Sequence, residues 1–472
     1  MDSAVSVDFD VVNVNDKPVV TLDANGSNAD NTATFTEVEG ADDGSQAVAF
    51  VTSGTSLADL DSTTLASLTV SLIGATIEAG DQLVLDATTI DLTDTTSNTG
   101  EVTYGTGSTV FGYEVTSDVT DTSVRFTSLD GGNASPAVIA DYEALLDALQ
   151  FNSTSDTFTA GSTRAFSVVA NDGTDDSTAA TFTVTMDATN DKPVVTLDAN
   201  GSNADNTATF TEVEGADDGS QAVAFVTSGT SLADLDSTTL ASLTVSLIGA
   251  TIEAGDQLVL DATTIDLTDT TSNTGEVTYG TGSTVFGYEV TSDVTDTSVR
   301  FTSLDGGNAS PAVIADYEAL LDALQFNSTS DTFTAGSTRA FSVVANDGTD
   351  DSTAATFTVT MDATNDKPVV TLDANGSNAD NTATFTEVEG ADDGSQAVAF
   401  VTSGTSLADL DSTTLASLTV SLIGATIEAG DQLVLDATTI DLTDTTSNTG
   451  EVTYGTGSTV FGYEVTSDVT DT

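Results

Sequence analysis

The stretch Phe182-Thr183-Val184-Thr185-Met186-Asp187-Ala188-Thr189-Asn190-Asp191-Lys192-Pro193 contains the two signals that decide the fold of this chain. Polar and apolar residues alternate as far as Met186, and a period of two predicts a β-strand with one buried face. Asn190 and Asp191, shortly before Pro193, are typical of turns and extended linkers. A strand that ends in such a segment predicts a boundary between two β-domains.

This linker recurs at a fixed spacing of 175 residues, as Asn15-Asp16-Lys17-Pro18 and as Asn365-Asp366-Lys367-Pro368. The sequence between the linkers is repeated without change, which predicts tandem copies of one structural unit. The predicted units are residues 18–192, the identical residues 193–367, and residues 368–472 as a truncated third repeat. Residues 1–17 are interpreted as the last strand and linker of a preceding domain. We therefore expect the chain to be a fragment of a longer array and its third unit to be unstable alone.

Short strands joined by turns dominate each unit. The alternation in residues 68–72, 164–168 and 181–186 predicts half-buried antiparallel strands. Turn signals separate the strands, at Asn25-Gly26, Asp43-Gly44, Asp130-Gly131-Gly132 and Asp172-Gly173. One segment differs, because Ser135-Pro136 precedes apolar residues at helical spacing. It predicts a short helix with a serine cap and proline in its first turn.

The predicted fold class is therefore all-β: tandem Greek-key β-sandwich domains with one short helix per repeat. A unit of 175 residues exceeds the roughly 100 residues of a minimal sandwich. Two interpretations of the unit remain open: it forms either one large domain or two small domains. Residues 86–122 are interpreted either as extra hairpins or as an elaborated loop.

Charge and composition limit the chemistry. The chain has 75 acidic residues against 7 Lys and Arg, and its formal net charge is -68. That excludes nucleic acid as a partner, because phosphate binding needs clustered cations. The chain contains neither His nor Cys, so Ser-His-Asp chemistry, thiol chemistry and zinc, haem or iron–sulfur sites lack their usual groups. Any metal must be bound by oxygen, and calcium is the leading candidate.

The unit boundary resembles the last strand and calcium-binding linker of cadherin-like repeats, with the pattern Asp-x-Asn-Asp-x-x-Pro or the shorter bacterial Asn-Asp-x-Pro. The spacing here, Asp-x-x-Asn-Asp-x-Pro, departs from the animal pattern at Asp187. Residues 57–62 and 140–174 are similar to the tandem cadherin-like repeats of giant bacterial surface adhesins of the RTX type, which are exported by type I secretion. The resemblance covers the first quarter and last third of each unit, and residues 86–122 poorly.

In that family, calcium (Ca²⁺) lies between successive domains, and the resemblance implies a ligand set at each boundary. It combines an acidic residue near the start of a repeat, the linker pair and an Asp-x-Asp of the following domain. The implied residues are Asn15, Asp16, Glu37, Asp59, Asp61, Asp187, Asn190, Asp191, Glu212, Asp234, Asp236, Asp362, Asn365, Asp366, Glu387, Asp409 and Asp411. The sequence does not choose between Glu37 and Glu39. Asp59, Asp61, Asn190 and Asp191 have an alternative reading as strand ends or turns.

The resemblance implies an extracellular or cell-surface stalk in which calcium rigidifies the repeats and a terminal module attaches to cells or surfaces, as in a biofilm. The expected partners are calcium ions and neighbouring repeats, with no nucleic acid and no membrane insertion in this segment; the adhesive target is unknown. The alternative is that each repeat binds a carbohydrate or protein ligand and acts by avidity. No enzymatic activity is expected. A further hypothesis is that the acidic residues form a general surface property and bind no specific metal.

Overall fold

The computed structural model describes residues 6, 8–10, 12, 14–23, 29–40, 46–51, 56–74, 77–93, 99–105, 107–117, 122–198, 204–214, 221–227, 231–249, 252–268, 273–280, 282–292, 297–373, 380–390, 396–401, 406–424, 427–443, 448–455 and 458–466. The turns predicted at Asn25-Gly26 and Asp43-Gly44 lie outside these residues. The other two predicted turns are described, and Gly131, Gly132 and Gly173 all have positive φ.

In the part of the chain that the structure describes, the first unit consists of short strands and one helix. They are β1 (Val19–Thr21), β2 (Asn31–Thr36), β3 (Val48–Ala49), β4 (Ser56–Ala58), β5 (Thr64–Leu65), β6 (Ser67–Leu72), β7 (Asp81–Leu85), β8 (Thr88–Asp91), β9 (Thr99–Tyr104), β10 (Thr109–Ser117), β11 (Thr122–Asp130), β12 (Asn133–Ala134), β13 (Ala137–Val138), α1 (Ile139–Ala148), β14 (Leu149–Ser153), β15 (Thr163–Asn171) and β16 (Ala180–Asp187). The strands predicted from alternation correspond to β6, β15 and β16.

The second unit repeats this order. Its elements are β17 (Val194–Thr196), β18 (Asn206–Thr211), β19 (Val223–Ala224), β20 (Ser231–Ala233), β21 (Thr239–Leu240), β22 (Ser242–Leu247), β23 (Asp256–Leu260), β24 (Thr263–Asp266), β25 (Thr274–Tyr279), β26 (Thr284–Ser292), β27 (Thr297–Asp305), β28 (Asn308–Ala309), β29 (Ala312–Val313), α2 (Ile314–Ala323), β30 (Leu324–Ser328), β31 (Thr338–Asn346) and β32 (Ala355–Asp362).

Two sheets face each other in each complete unit. The larger has the order β2-β16-β15-β6-β11-β10-β9, with β12 beside β11, and the smaller has the order β3-β14-β7-β8. Phe50, just after β3, lies 4.2 Å from Phe182 of the larger sheet, and Phe151 of β14 lies 5.6 Å from Phe166 of β15 (ring centroids). One buried cluster extends from Val20 to Met186. The predicted all-β sandwich fold is confirmed.

One strand pair departs from the antiparallel prediction. β2 and β16 run parallel, with Phe35 opposite Met186 and Thr36 opposite Asp187. No hairpin joins these two strands, since almost the whole unit separates them in the chain, so their direction is set by packing. As a result both strands end at the same end of the sandwich, where β16 continues into the linker.

The helix begins later than the sequence predicts. Ala137 and Val138 form β13 and pair with Leu65 and Thr64 of β5, so Pro136 precedes a strand instead of lying in the first helical turn. The N-cap is Val138, without a side-chain capping bond, and α1 starts at Ile139. The strand pairing takes precedence over the predicted Ser-Pro cap because it satisfies backbone groups that the helix would leave unpaired.

Residues 86–122 contribute strands to the sandwich, which agrees with the interpretation of this segment as extra hairpins and not as an elaborated loop. β9 and β10 form a hairpin that widens the larger sheet beyond β11. A Cβ atom on Gly100 of β9 would lie only 2.4 Å from the Tyr113 hydroxyl oxygen. The glycine therefore leaves room for the tyrosine ring to cover this edge of the sheet.

The third unit differs from the other two. Its described elements are the pairs β33 (Val369–Thr371) with β34 (Ser406–Ala408), β35 (Gln432–Leu435) with β36 (Thr438–Asp441), and β37 (Asn448–Tyr454) with β38 (Thr459–Val465). Phe385 and Phe400 are 57% and 55% exposed, whereas their counterparts Phe35 and Phe50 are fully buried. The residues that cover those rings in the first unit belong to β14–β16 and the loop between β14 and β15, which have no counterpart in residues 368–472.

Candidate metal centre at the joint between repeats

The parallel strand pair places Glu37 beside the linker that follows β16. The backbone N–H of Glu37 donates to the carbonyl of Asp187 at 3.1 Å. In return, the backbone N–H of Thr189 donates to Oε2 of Glu37 at 3.1 Å, and the Thr189 hydroxyl donates to the Glu37 carbonyl at 2.7 Å. Glu37 is only 2% exposed, so the first residues of the linker are fixed against the end of β2.

Three carboxylates meet at this point. One oxygen of each of Glu37, Asp156 and Asp191 lies within 4.8 Å of the others. Asp191 is 1% exposed, and its Oδ2 is buried without a hydrogen-bond partner, as is Oδ1 of Asp156. The other oxygen of Asp191 accepts a hydrogen bond from the backbone N–H of Gly40. Glu212, Asp331 and Asp366 form the same group at the end of the second unit.

The electrostatics of this group suit a hard cation. Burial raises the pKa of Asp191, as do the carboxylates of Asp236, Asp156 and Glu39, although the Gly40 N–H opposes the rise. Lys192 forms an ion pair with Glu39 at 2.9 Å (Nζ to Oε1). Calcium prefers six to eight oxygen ligands, and the converging carboxylates, with buried Oδ2 of Asp191 and Oδ1 of Asp156 that accept no hydrogen bond from the described residues, supply part of such a set. The residues present therefore fit calcium.

The linker also contacts the second repeat. The Asn190 side-chain Nδ2 donates to Oδ2 of Asp347 at 2.9 Å and to Oδ2 of Asp350 at 3.2 Å. The backbone N–H of Asp191 donates to Oδ2 of Asp236 at 3.4 Å. Desolvation raises the pKa of Asp347, but hydrogen bonds from Asn190 and from backbone N–H groups outweigh it and lower that pKa. Acidic groups from both repeats therefore surround two consecutive linker residues.

The Asp-x-Asp segment of the second repeat forms a turn beside the linker. Oδ1 of Asp234 accepts hydrogen bonds from the backbone N–H groups of Asp236 at 3.2 Å and Ser237 at 2.8 Å, while its Oδ2 is buried without a hydrogen-bond partner. Burial and the neighbouring Asp236 carboxylate raise the pKa of Asp234 to about 6. Asp234 therefore caps a turn through Oδ1, and its buried Oδ2 accepts no hydrogen bond within the part of the chain that the structure describes.

The other boundaries contain matching contacts. Before the first unit, the backbone N–H of Asp16 donates to Oδ2 of Asp61 at 3.3 Å, and Asn15 donates to Asp172 at 2.9 Å and Asp175 at 3.1 Å. Asp59 accepts hydrogen bonds from the backbone N–H groups of Asp61 and Ser62.

After the second unit, the Asn365 side chain donates to the Asp366 carbonyl. The backbone N–H of Asp366 donates to the Asp411 carboxylate, and the Asp409 carboxylate accepts from the backbone N–H of Ser412.

Some of the predicted ligand side chains are exposed rather than buried in a carboxylate group. The side chains of Asp187 and Asp362 are exposed, and only their backbone carbonyls bond to the neighbouring strand ends at Glu37 and Glu212. Glu387 is exposed in the third unit. Between the two acids left open by the sequence, Glu37 lies in the carboxylate group, whereas Glu39 pairs with Lys192.

The structure adds residues that the sequence analysis did not select. Asp156 and its counterpart Asp331 follow a strand within a Ser/Thr-rich stretch; this stretch belongs to the segment that resembles adhesin repeats, but the ligand set implied by that resemblance does not include them. Asp347 and Asp350 are the counterparts of Asp172 and Asp175 at the predicted Asp172-Gly173 turn, and they form a turn, since Oδ1 of Asp347 accepts from the backbone N–H of Asp350 at 2.8 Å. The only sequence signal for their second role is the pair of acids at the tip of a strand turn.

No protein-family model matches the chain, and no curated protein matches it. Solved structures with some similarity include zebrafish RET cadherin-like domains 1 to 4, at 12% identity over 51% of this chain and 41% of that one, with a TM-score of 0.17. Mouse cadherin-23 EC22-24 is 11% identical over 75% of this chain and 100% of its own, with a TM-score of 0.20. The E. coli CFA/I adhesin CfaE is 9% identical over 71% and 98%, with a TM-score of 0.21.

These values do not assign the chain to a family. The chain spans less than half the length of the RET structure. Among the residues that the structure describes, no helix is long and apolar enough to cross a membrane.

Proposed function

We propose that this chain is part of the stalk of a large bacterial cell-surface adhesin, in which calcium at each joint rigidifies tandem repeats that project a terminal adhesive module. The supporting observation is the position of Asp191. It belongs to a group of three carboxylates of the first unit and also bonds to Asp236 of the second. A ligand at this group would therefore lie beside a linker residue that also bonds to the second repeat.

The physical basis is charge. Each complete repeat has 27 acidic residues against three basic ones. Without a counter-ion, the carboxylates at the joint repel one another and favour separation of the two repeats. A bound calcium ion supplies the positive charge and oxygen coordination that cancel this repulsion. Glu37, Asp156 and Asp191 hold it from one side, and the Asn190 contacts to Asp347 and Asp350 keep the following repeat in place.

The two complete repeats have the same amino-acid sequence, and this favours a mechanical role. Lengthening a stalk requires only repetition of one module, and arrays with nearest-neighbour contacts suit that task. The resemblance to RTX adhesin repeats supplies the extracellular setting and the expected role in surface attachment and biofilm formation. The absence of Trp weakens the alternative of carbohydrate binding by each repeat, because ring stacking is the usual apolar contribution to such sites.

The test compares the whole chain in calcium, in magnesium and in chelator at fixed ionic strength, by thermal unfolding and small-angle scattering. Ligand that binds only the native state raises the melting temperature by mass action. We expect a calcium-specific rise and a longer, stiffer particle. The variant with Asp191→Asn and Asp366→Asn should lose both effects.

The matched control carries Asp187→Asn and Asp362→Asn, which remove the same charge from exposed side chains close to the same linkers. It should respond to calcium like the unsubstituted chain. Equal responses to calcium and magnesium, with no change of shape, would contradict the proposal and leave the acidity as a general surface property. Ligand screens for the binding-module alternative would then follow.

A further inference from the structure

The loop that presents Asp156, residues 154–162 between β14 and β15, is held in place from three sides. We call it the Asp156 loop. It supplies the third carboxylate of the group at the joint, and the ligand set implied by the sequence does not include it. Its position therefore has to come from contacts with the rest of the unit.

The first contact is with Gly80, immediately before β7. The backbone N–H of Thr154 donates to the Gly80 carbonyl at 3.0 Å. A Cβ atom on Gly80 would lie 2.9 Å from the backbone nitrogen of Ser155, closer than side chains come to backbone atoms, and the φ of Gly80 is +100°. Only glycine therefore allows the loop to approach this closely.

The second contact joins the loop to β2. The rings of Phe158 and Phe35 lie edge to face, with centroids 6.0 Å apart. Phe158 is two residues after Asp156, and Phe35 is two residues before Glu37. Because both rings are buried, their contact sets the separation of the two carboxylates.

The third contact joins the loop to β16. The backbone N–H of Gly161 donates to the Met186 carbonyl at 2.7 Å, and the N–H of Met186 donates to the Ser162 carbonyl at 2.8 Å. Met186 is followed by the linker that contains Asp191. The second unit repeats all three contacts. A Cβ atom on Gly255 would lie 2.9 Å from the backbone nitrogen of Ser330, the ring centroids of Phe210 and Phe333 are 6.0 Å apart, and the N–H of Gly336 donates to the Met361 carbonyl.

We infer that Gly80 and Phe158 are positioning residues that hold the Asp156 carboxylate toward Glu37 and Asp191, so that each repeat carries a preformed cation site at its C-terminal end. This inference rests on the proposed function, because it assumes that the group binds calcium. It adds that affinity depends on residues that do not touch the ion. Such supporting residues typically alter metal affinity by about 10- to 100-fold.

The experiment measures calcium affinity by calorimetric titration of calcium chloride into the whole chain, with magnesium present to suppress binding to scattered acids. All proteins carry Asp366→Asn, which removes one carboxylate from the group at the end of the second unit. Among the described residues, Glu37, Asp156 and Asp191 are then the one complete group of this kind. Gly80→Ala should weaken calcium binding by about tenfold. Phe158→Leu, which keeps an apolar side chain in the core, should weaken it in the same direction.

The matched control is Gly132→Ala. Gly132 also has positive φ, at +85°, and a Cβ there would meet nothing within 4 Å. It imposes similar backbone strain without moving the Asp156 loop and should leave affinity unchanged. If Gly80→Ala unfolds the first unit by circular dichroism, the Phe158→Leu affinity decides the result.

Different results would overturn the proposed function and the positioning inference. If calcium binding is absent in the Asp366→Asn chain, or is unaffected by adding Asp191→Asn, the proposed function is wrong. If calcium binds and Asp191→Asn abolishes binding, but Phe158→Leu and a folded Gly80→Ala match Gly132→Ala in affinity, the joint binds calcium and the positioning inference is overturned.

Discussion

Asp191 and Asp236 lie on opposite sides of a repeat boundary, and the backbone N–H of Asp191 donates to the Asp236 carboxylate at 3.4 Å. The Asp191 side chain at the same time belongs to the buried carboxylate group of the preceding repeat. One residue thus connects the acidic ends of two neighbouring units. Changes at this joint should therefore affect the stability of the units and also the shape of the array.

The joint should respond to pH in the absence of calcium. The folded-state pKa of Asp234 is raised to about 6, above the ordinary value near 3.8. Its contribution to stability is therefore present below the unfolded pKa and is lost as pH rises through about 6. In chelator we expect the melting temperature to fall between pH 5 and pH 7, and Asp234→Asn to reduce that fall. Equal pH dependence of Asp234→Asn and the control Asp187→Asn would contradict this.

The buried ion pair of Arg164 should be essential to each unit. Arg164 and Asp81 have side chains that are 3% and 0% exposed, and Nε lies 2.7 Å from Oδ2. Arg164→Met leaves the carboxylate buried without its cation, which costs about 3–5 kcal/mol. Urea unfolding of a chain with this change in both units should show that loss. The same change at the exposed Arg125 and its counterpart Arg300 should have a much smaller effect.

The hydroxyl of Tyr142 should stabilise the packing of α1 on the larger sheet. It donates to the Ala66 carbonyl at 3.0 Å and accepts from the backbone N–H of Ser128 at 3.2 Å, in a fully buried position. Tyr142→Phe should cost about 1–3 kcal/mol in urea unfolding, because buried backbone groups lose their partner. Tyr104→Phe, which removes a more exposed hydrogen bond to Asp86, should cost less. Equal losses of unfolding free energy for the two substitutions would contradict the prediction that burial of the hydroxyl group determines its contribution.

The third unit should be the first part of the chain to be cleaved by a protease. Phe385, Phe400 and Leu418 are more than half exposed there, and large exposed apolar side chains accompany an incomplete core. Limited proteolysis followed by mass spectrometry should remove residues after about Lys367 and leave the first two units intact. A resistant fragment of residues 368–472 would show that this segment folds without counterparts of β14–β16.

Much of the architecture could be predicted from local pattern. Period-two alternation identified β6, β15 and β16, and the Asp-Gly signals identified turns at Gly131 and Gly173. The predicted start of α1 was wrong because residues 137–138 form β13, which pairs with β5. That pairing joins residues more than 70 positions apart in the chain. The parallel direction of β2 and β16 also depends on distant packing, which local alternation does not encode.

The sequence alone determined the repeat, the β-strand content and the linker, because each is written in the order of neighbouring residues. It also restricted any metal ligands to oxygen, because the chain lacks Cys and His. Only the tertiary structure decided that Glu37, Asp156 and Asp191 converge, while Asp187 stays exposed. The physical reason is that these three carboxylates come from distant parts of the chain. The parallel register of β2 with β16 and the packing of Phe158 on Phe35 bring them together.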